Sequence, residues 1–269
     1  MNTPVPTELI LATRADMIAE AERVIDAARG RGIVLRLLGG LAVRFHCQSL
    51  DFCERDHGDI DMVGHRRDAE RIASLFTDLG FEEVVHVRQA TGGRQLQFAR
   101  ECGLKEQWAC YSQHDDDHID VFLDTFKMDH AIDLSDRLDL DDYTITVSDV
   151  LLTKLQMANL NEKDDRDIFT LLQDLELGTA DDPKAIDVPY IAQLCARDWG
   201  LFHDVELNLA RLYKRLDAYA VEPGMHDRVR AKLARLEETI KAEPKSRTWR
   251  LRAKVGERRP WHETVEEQE

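Results

Sequence analysis

Gly58-Asp59-Ile60-Asp61-Met62-Val63 sets two carboxylates two residues apart in a stretch whose next residues are apolar. On a β-strand, residues i and i+2 share a face, so Asp59 and Asp61 would point the same way. Neighbouring carboxylates repel one another, and a shared divalent cation is the usual justification for such a pair. A second run, His118-Ile119-Asp120-Val121-Phe122-Leu123-Asp124, alternates in the same manner. Ile119, Val121 and Leu123 would face a core, with Asp120 and Asp124 on the opposite side. A third carboxylate on a neighbouring strand completes a two-metal site and can accept the proton of an attacking hydroxyl. The run His114-Asp115-Asp116-Asp117-His118 reads as a solvated loop rather than as a metal site of its own.

Two further pieces fit the same chemistry. Leu37-Leu38-Gly39-Gly40-Leu41-Ala42-Val43 reads as a strand running into two glycines and then a helix. Without Cβ atoms the glycines let a polyphosphate approach the main chain, and the helix N-terminus offers it free N–H groups. Farther on, Leu151-Leu152-Thr153-Lys154-Leu155 puts a lysine opposite apolar neighbours, where it could neutralise a phosphate. In the segment Asn161 to Ile168, Asn161 and Asp164 have the spacing of a helix-start box, and Asp164 and Asp167 share one helical face. The alternative for these three charges is a salt bridge between two helices.

In order and spacing, Gly39-Gly40, Asp59-Ile60-Asp61 and the later Asp120 resemble the polymerase-beta-like nucleotidyltransferase superfamily. The L-x-x-K-L and K-D-x-x-D-I elements resemble its AbiEii-type toxin branch. The resemblance covers residues 33–177. It implies that Asp59, Asp61 and Asp120 are the catalytic carboxylates and hold two Mg²⁺ ions, with Mn²⁺ as a substitute. It also implies that Gly39, Gly40, Lys154, Asp164 and Asp167 surround the nucleotide. The expected reaction moves a nucleoside monophosphate from an NTP such as ATP to a hydroxyl and releases pyrophosphate. The acceptor stays open among an RNA 3′ end, a protein and a small molecule, and an antitoxin or a second copy of the chain is an expected partner. The other reading is a nucleotide-sensing protein on the same scaffold, without catalysis. Leu41 departs from the pattern, because many members carry a small or polar residue there, and the gap from Gly40 to Asp59 is long.

The elements that must position these groups are legible in outline. Residues 7–29 carry apolar side chains at helical spacing before Gly30 and Gly32, Ile33 to Leu38 reads as a buried strand, and Arg67 to Leu79 is an amphipathic helix stopped by Gly80. Strands are expected at Ile60 to Val63, Glu82 to Val87, Gln95 to Ala99, His118 to Leu123 and Tyr143 to Val147. From Ser148 onward the pattern is helical, punctuated by Pro183, Pro189 and Glu222-Pro223-Gly224. The expected fold is α+β, α/β-like in its alternation. Residues 1–147 would form a catalytic domain with a mixed sheet flanked by helices, residues 148–244 a helical domain, and residues 245–269 a tail running from basic to acidic.

Composition narrows the class. The 269 residues are 43% hydrophobic and 33% charged, with a net charge of −16, enough apolar material for a core and too acidic for generic DNA coating or a membrane surface. No apolar run is long enough to span a bilayer, and the first residues lack the basic region of a secretory signal. Five cysteines without a C-x-x-C pair suit free thiols and a cytoplasmic location. Charge is uneven: Arg228 to Arg259 holds twelve Lys or Arg against four Asp or Glu. With Trp249 and Trp261, that segment would either follow RNA phosphates and stack a base or dock on the acidic body of the protein.

Overall fold

The computed structural model describes residues 7–47, 58–99, 118–179, 184–219 and 224–262. The His114–Asp117 run, Pro183, Glu222-Pro223, three of the five cysteines and residues 263–269 lie outside them. The fold is α+β, and the chain divides into two compact units between Ile145 and Thr146, with His46, Cys47 and Lys127–Ile132 belonging to the second.

The first unit is built on a five-stranded mixed sheet. It comprises β1 (Leu35–Leu37), β2 (Ile60–Gly64), β3 (Glu82–Glu83), β4 (Gln95–Ala99) and β5 (His118–Leu123), in the order β1-β2-β5-β4-β3. The β2–β5 pair is parallel and the other pairs are antiparallel. Strict alternation explains the two faces. Ile60, Met62, Ile119, Val121, Leu123, Leu96 and Phe98 are all buried, and they lie on one face by register. α1 (Thr7–Gly30) and α3 (Ala69–Asp78) supply the matching apolar stripes, Met17, Ala21, Val24, Ile25 and Ala28 on one and Ile72, Leu75 and Phe76 on the other. Phe76 stacks on Phe98 with ring centroids 4.0 Å apart. The opposite face carries the polar residues of the same strands, among them Asp61, Asp120, Gln95 and Gln97.

Two expected strands are corrected. Only Glu82–Glu83 pairs as a strand, and α4 (Val85–Ala90) follows it directly. The β-branched valines suggested a strand there, but Arg88 forms ion pairs with both Glu83 and Glu70 at 2.6 Å and holds a helical turn instead. Tyr143 to Val147 contributes one parallel bridge, Leu37 to Thr144. Thr146 then caps α5 (Val147–Leu155): its side chain accepts from Asp149 N–H and its Oγ1 donates to Asp149 Oδ2. That cap converts the segment to helix.

A two-stranded ladder of β6 (Thr125–Lys127) and β7 (Ala131–Asp133) follows β5 in the chain. The second unit is helical. It contains α5, α6 (Glu162–Asp174), α7 (Val188–Arg197), α8 (Trp199–Arg215), α9 (Met225–Ala242) and α10 (Arg247–Val255), with a short parallel ladder of β8 (Leu177–Gly178) and β9 (Ile186–Asp187). Asn161 and Asp164 form the full reciprocal capping box at the start of α6. α9 buries Met225, Val229, Leu233, Leu236 and Ile240 along one side and turns its charges outward. Residues 247–262 belong to this unit as well: the Trp249 indole packs edge-on against Phe202, and Trp261 Nε1 donates to Asp204 Oδ1. Among the described residues no helix is long and apolar enough to cross a membrane.

Candidate active site

The strand order brings residues 39, 61 and 120 of the first unit together. Leu38 N–H donates to Asp61 C=O at 2.9 Å, so β1 leaves the sheet directly beside Asp61. Gly39 follows with φ +70° and opens α2 (Gly39–His46). A Cβ at position 39 would lie 2.5 Å from Asp61 Oδ2. Only glycine tolerates both the left-handed backbone and that approach. The half-buried Asp61 carboxylate therefore sits at the N-terminus of α2, where the helix dipole favours negative charge.

Asp61 is also the Cα partner of Asp120 across the parallel β2–β5 ladder. Adjacent strands run about 4.8 Å apart, so two carboxylates occupy neighbouring positions on one sheet face and repel each other. Asp120 is buried and well held. Gln95 Nε2 and Gln97 Nε2 donate to its Oδ1 at 2.8 and 3.2 Å, and His118 Nε2 lies 2.9 Å from its Oδ2. Gln97 is the register partner of Asp120 on β4, and Gln95 lies two residues away on the same face. An ionised carboxylate offers about four acceptor positions, and these three donors leave one on Oδ2.

Other expected residues take different places. Asp59 is exposed and precedes β2, which begins at Ile60, so it is not a strand partner of Asp61. Asp124 does not share a face with Asp120. The strand ends at Leu123, Asp124 adopts φ +62°, and its Oδ1 accepts from Arg66 N–H at 3.1 Å and lies 3.5 Å from His65 Nδ1. Gly40 is buried in the first turn of α2.

Lys154, Asp164 and Asp167 belong to the second unit and pair with one another there. Lys154 Nζ lies 2.9 Å from Asp164 Oδ1 and 3.2 Å from Asp167 Oδ2, and Asp167 is fully buried. This is the inter-helix ion pair that the charge pattern offered as an alternative to phosphate binding, joining α5 to α6. Trp249 and Trp261, expected to stack a base in the RNA reading, have their partners inside the second unit.

Sequence reasoning missed Gln95, Gln97 and His118 as holders of Asp120. The signal for the glutamines was present: they alternate with Leu96 and Phe98 on β4, and a polar face on a central strand wants a partner. It also missed a His–Asp–His cluster in the second unit, whose members are far apart in the chain.

No family model and no curated protein matches this sequence. The functional reading rests on geometry and on the motif order.

Proposed function

We propose that the protein is a divalent-cation-dependent nucleotidyltransferase that moves a nucleoside monophosphate from an NTP to a hydroxyl acceptor. The observation that supports it best is the triple coincidence at Gly39: a left-handed glycine, the first turn of a helix, and the Asp61–Asp120 carboxylate pair behind it. The donor set suits Mg²⁺, because the groups are hard carboxylate oxygens. Asp61 and Asp120 would hold the cation, with the exposed Asp59 as a further ligand. The cation would neutralise charge that builds on the phosphates during transfer.

The chain's own residues account for the rest. The first N–H groups of α2, at Gly39 and Gly40, have no partner from within the helix and are suited to phosphate oxygens. The missing Cβ at 39 leaves room for the Asp61 carboxylate beside them. Gln95 and Gln97 fix the Asp120 carboxylate by its Oδ1 and His118 Nε2 donates to its Oδ2, which leaves the remaining position on Oδ2 to take the proton of the acceptor hydroxyl. That hydroxyl oxygen bonds to the α-phosphorus, the bond from the α-phosphorus to its bridging oxygen breaks, and pyrophosphate leaves.

The test is incubation of the purified protein with each labelled NTP, Mg²⁺ and total RNA, with label then sought in RNA, in protein and in small molecules. Transfer that disappears in Asp61→Asn supports the reading. NTP binding without transfer to any acceptor would favour the nucleotide-sensing alternative, and neither binding nor transfer would end both.

A further inference from the structure

Asp204, in the second turn of α8, is a buried carboxylate with unusual company. Its side chain is 3% exposed, and its ion-pair partners among the described residues are His130 and His262, with no described lysine or arginine at ion-pair distance. His130 comes from the turn between β6 and β7, and His262 follows the 3-10 turn after α10. His130 Nε2 lies 2.8 Å from Asp204 Oδ2 and His262 Nδ1 lies 3.0 Å from the same oxygen. Ligand atoms of all three residues fall within 4.8 Å of one another.

We propose that His130, Asp204 and His262 form a binding site for a divalent transition-metal ion of the zinc type, which fastens residues 261–262 to α8. A buried carboxylate needs a compensating positive charge. The groups facing this one are two imidazoles and the Trp261 indole N–H, and a metal ion held between them supplies that charge. Two imidazole nitrogens and one carboxylate oxygen are a donor set that zinc accepts, at bond lengths of about 2.0–2.2 Å. Tetrahedral ligands at such bond lengths stand about 3.3 Å apart, so the two spacings from the histidines to Asp204 Oδ2 need to open by only a few tenths of an ångström. His262 is partly exposed, which leaves solvent access for a fourth ligand.

The surroundings hold these ligands in the way metal ligands are commonly held. Trp261 Nε1 donates to Asp204 Oδ1 at 2.9 Å and thereby orients the other oxygen towards the histidines. Gln156 Oε1 accepts from His130 N–H at 2.8 Å and fixes the turn. Arg252 Nη2 donates to the carbonyl oxygens of Arg259 and Pro260, which brings the His262 segment into place. A Cβ at Gly200 would lie 2.5 Å from Trp261 O and 3.1 Å from His130 Cε1, so the segment can sit here only over a glycine.

The experiment uses the full chain, stripped with a chelator and dialysed against Zn²⁺ in millimolar Mg²⁺, which occupies hard-oxygen sites. The expected result is one zinc per chain by elemental analysis, visible d–d absorption when Co²⁺ replaces it, and a zinc-dependent rise in Tm. His262→Gln, at the edge of the unit, keeps the fold by circular dichroism. It should bind zinc more weakly by more than the ~10–100-fold typical of losing an outer-layer partner, and it should lose the Tm rise. Asp204→Asn should behave likewise if it folds. Wild type that retains no zinc, or zinc binding equal in wild type and His262→Gln, overturns the proposal and leaves a hydrogen-bonded cluster.

Discussion

Gly39 stands against Asp61 so closely that a methyl group on its Cα would come within 2.5 Å of the Asp61 Oδ2. Position 39 therefore sets both the path of the chain into α2 and the space in front of a carboxylate. Gly80 separates these two effects. It has φ +84° and nothing within 4 Å of a would-be Cβ. Both Gly39→Ala and Gly80→Ala should lose about 1–2 kcal/mol through left-handed strain. Only Gly39→Ala should also lose nucleotide transfer, by about 100-fold for a displacement of the reacting groups near 1 Å. Urea unfolding and a transfer assay on the two variants check this, and equal activity in both would remove Gly39 from the site.

Asp120 and Asp61 should differ in stability although both are assigned to catalysis. Asp120→Asn turns an N–H group towards donors from Gln95, Gln97 or His118, leaving a buried group unpaired at about 1–3 kcal/mol. Asp61→Asn should destabilise less, because that side chain is half-buried and its charge repels Asp120. In EDTA, melting curves should rank Asp120→Asn below Asp61→Asn. Wild type should gain about 2.7 kcal/mol from Mg²⁺–NTP at a hundredfold its Kd, and both variants should lose most of that gain.

Lys154→Met should destabilise the helical unit by about 3–5 kcal/mol, since it removes the cation facing the Asp164 and Asp167 carboxylates, whose side chains are 10% and 0% exposed. Adding Asp167→Asn should recover part of the loss, while Asp164 keeps its capping bond to Asn161. Chemical denaturation of the single and double variants measures this coupling. A Lys154→Met protein that unfolds like wild type but binds NTP weakly would restore the lysine to the phosphate.

Cys195 is buried in α7, and burial pushes its thiol up to about 12 from an ordinary value of 9.0. The folded chain thus keeps the proton where an unfolded chain releases it. This contribution to stability is intact below about pH 9 and declines as pH rises towards 12. Peptide mapping after iodoacetamide treatment at pH 8.5 should find Cys195 unmodified in native protein and modified in urea. Rapid native labelling would contradict the burial.

The parts of this molecule that followed local rules were readable in its sequence. Alternation marked β2, β4 and β5, helical spacing marked α1 and α3, and Asn161 with Asp164 marked the start of α6. The α4 segment was misread because Val84, Val85 and Val87 favour a strand on intrinsic preference, whereas long-range ion pairs from Arg88 decide the outcome. Asp124 was misassigned because periodicity says nothing about where a strand stops. The cluster at Asp204 was invisible for a different reason. His130 and His262 are 74 and 58 residues from Asp204, and no spacing rule connects groups that only tertiary packing brings together.

The Asp61–Asp120 pairing ties the site to the core through one pleat. Ile60 and Met62 point into the core from the same strand that turns Asp61 away from it, and Ile119 and Val121 do so around Asp120. Sliding β2 by a single residue against β5 would drive a carboxylate into the apolar layer and push isoleucine out of it. The first unit should therefore tolerate conservative exchanges within these strands far better than one-residue insertions or deletions. A library of single-codon indels across 60–64 and 119–123 should yield almost no folded protein, so the chain has no partly shifted state in which the core survives and the carboxylates are lost.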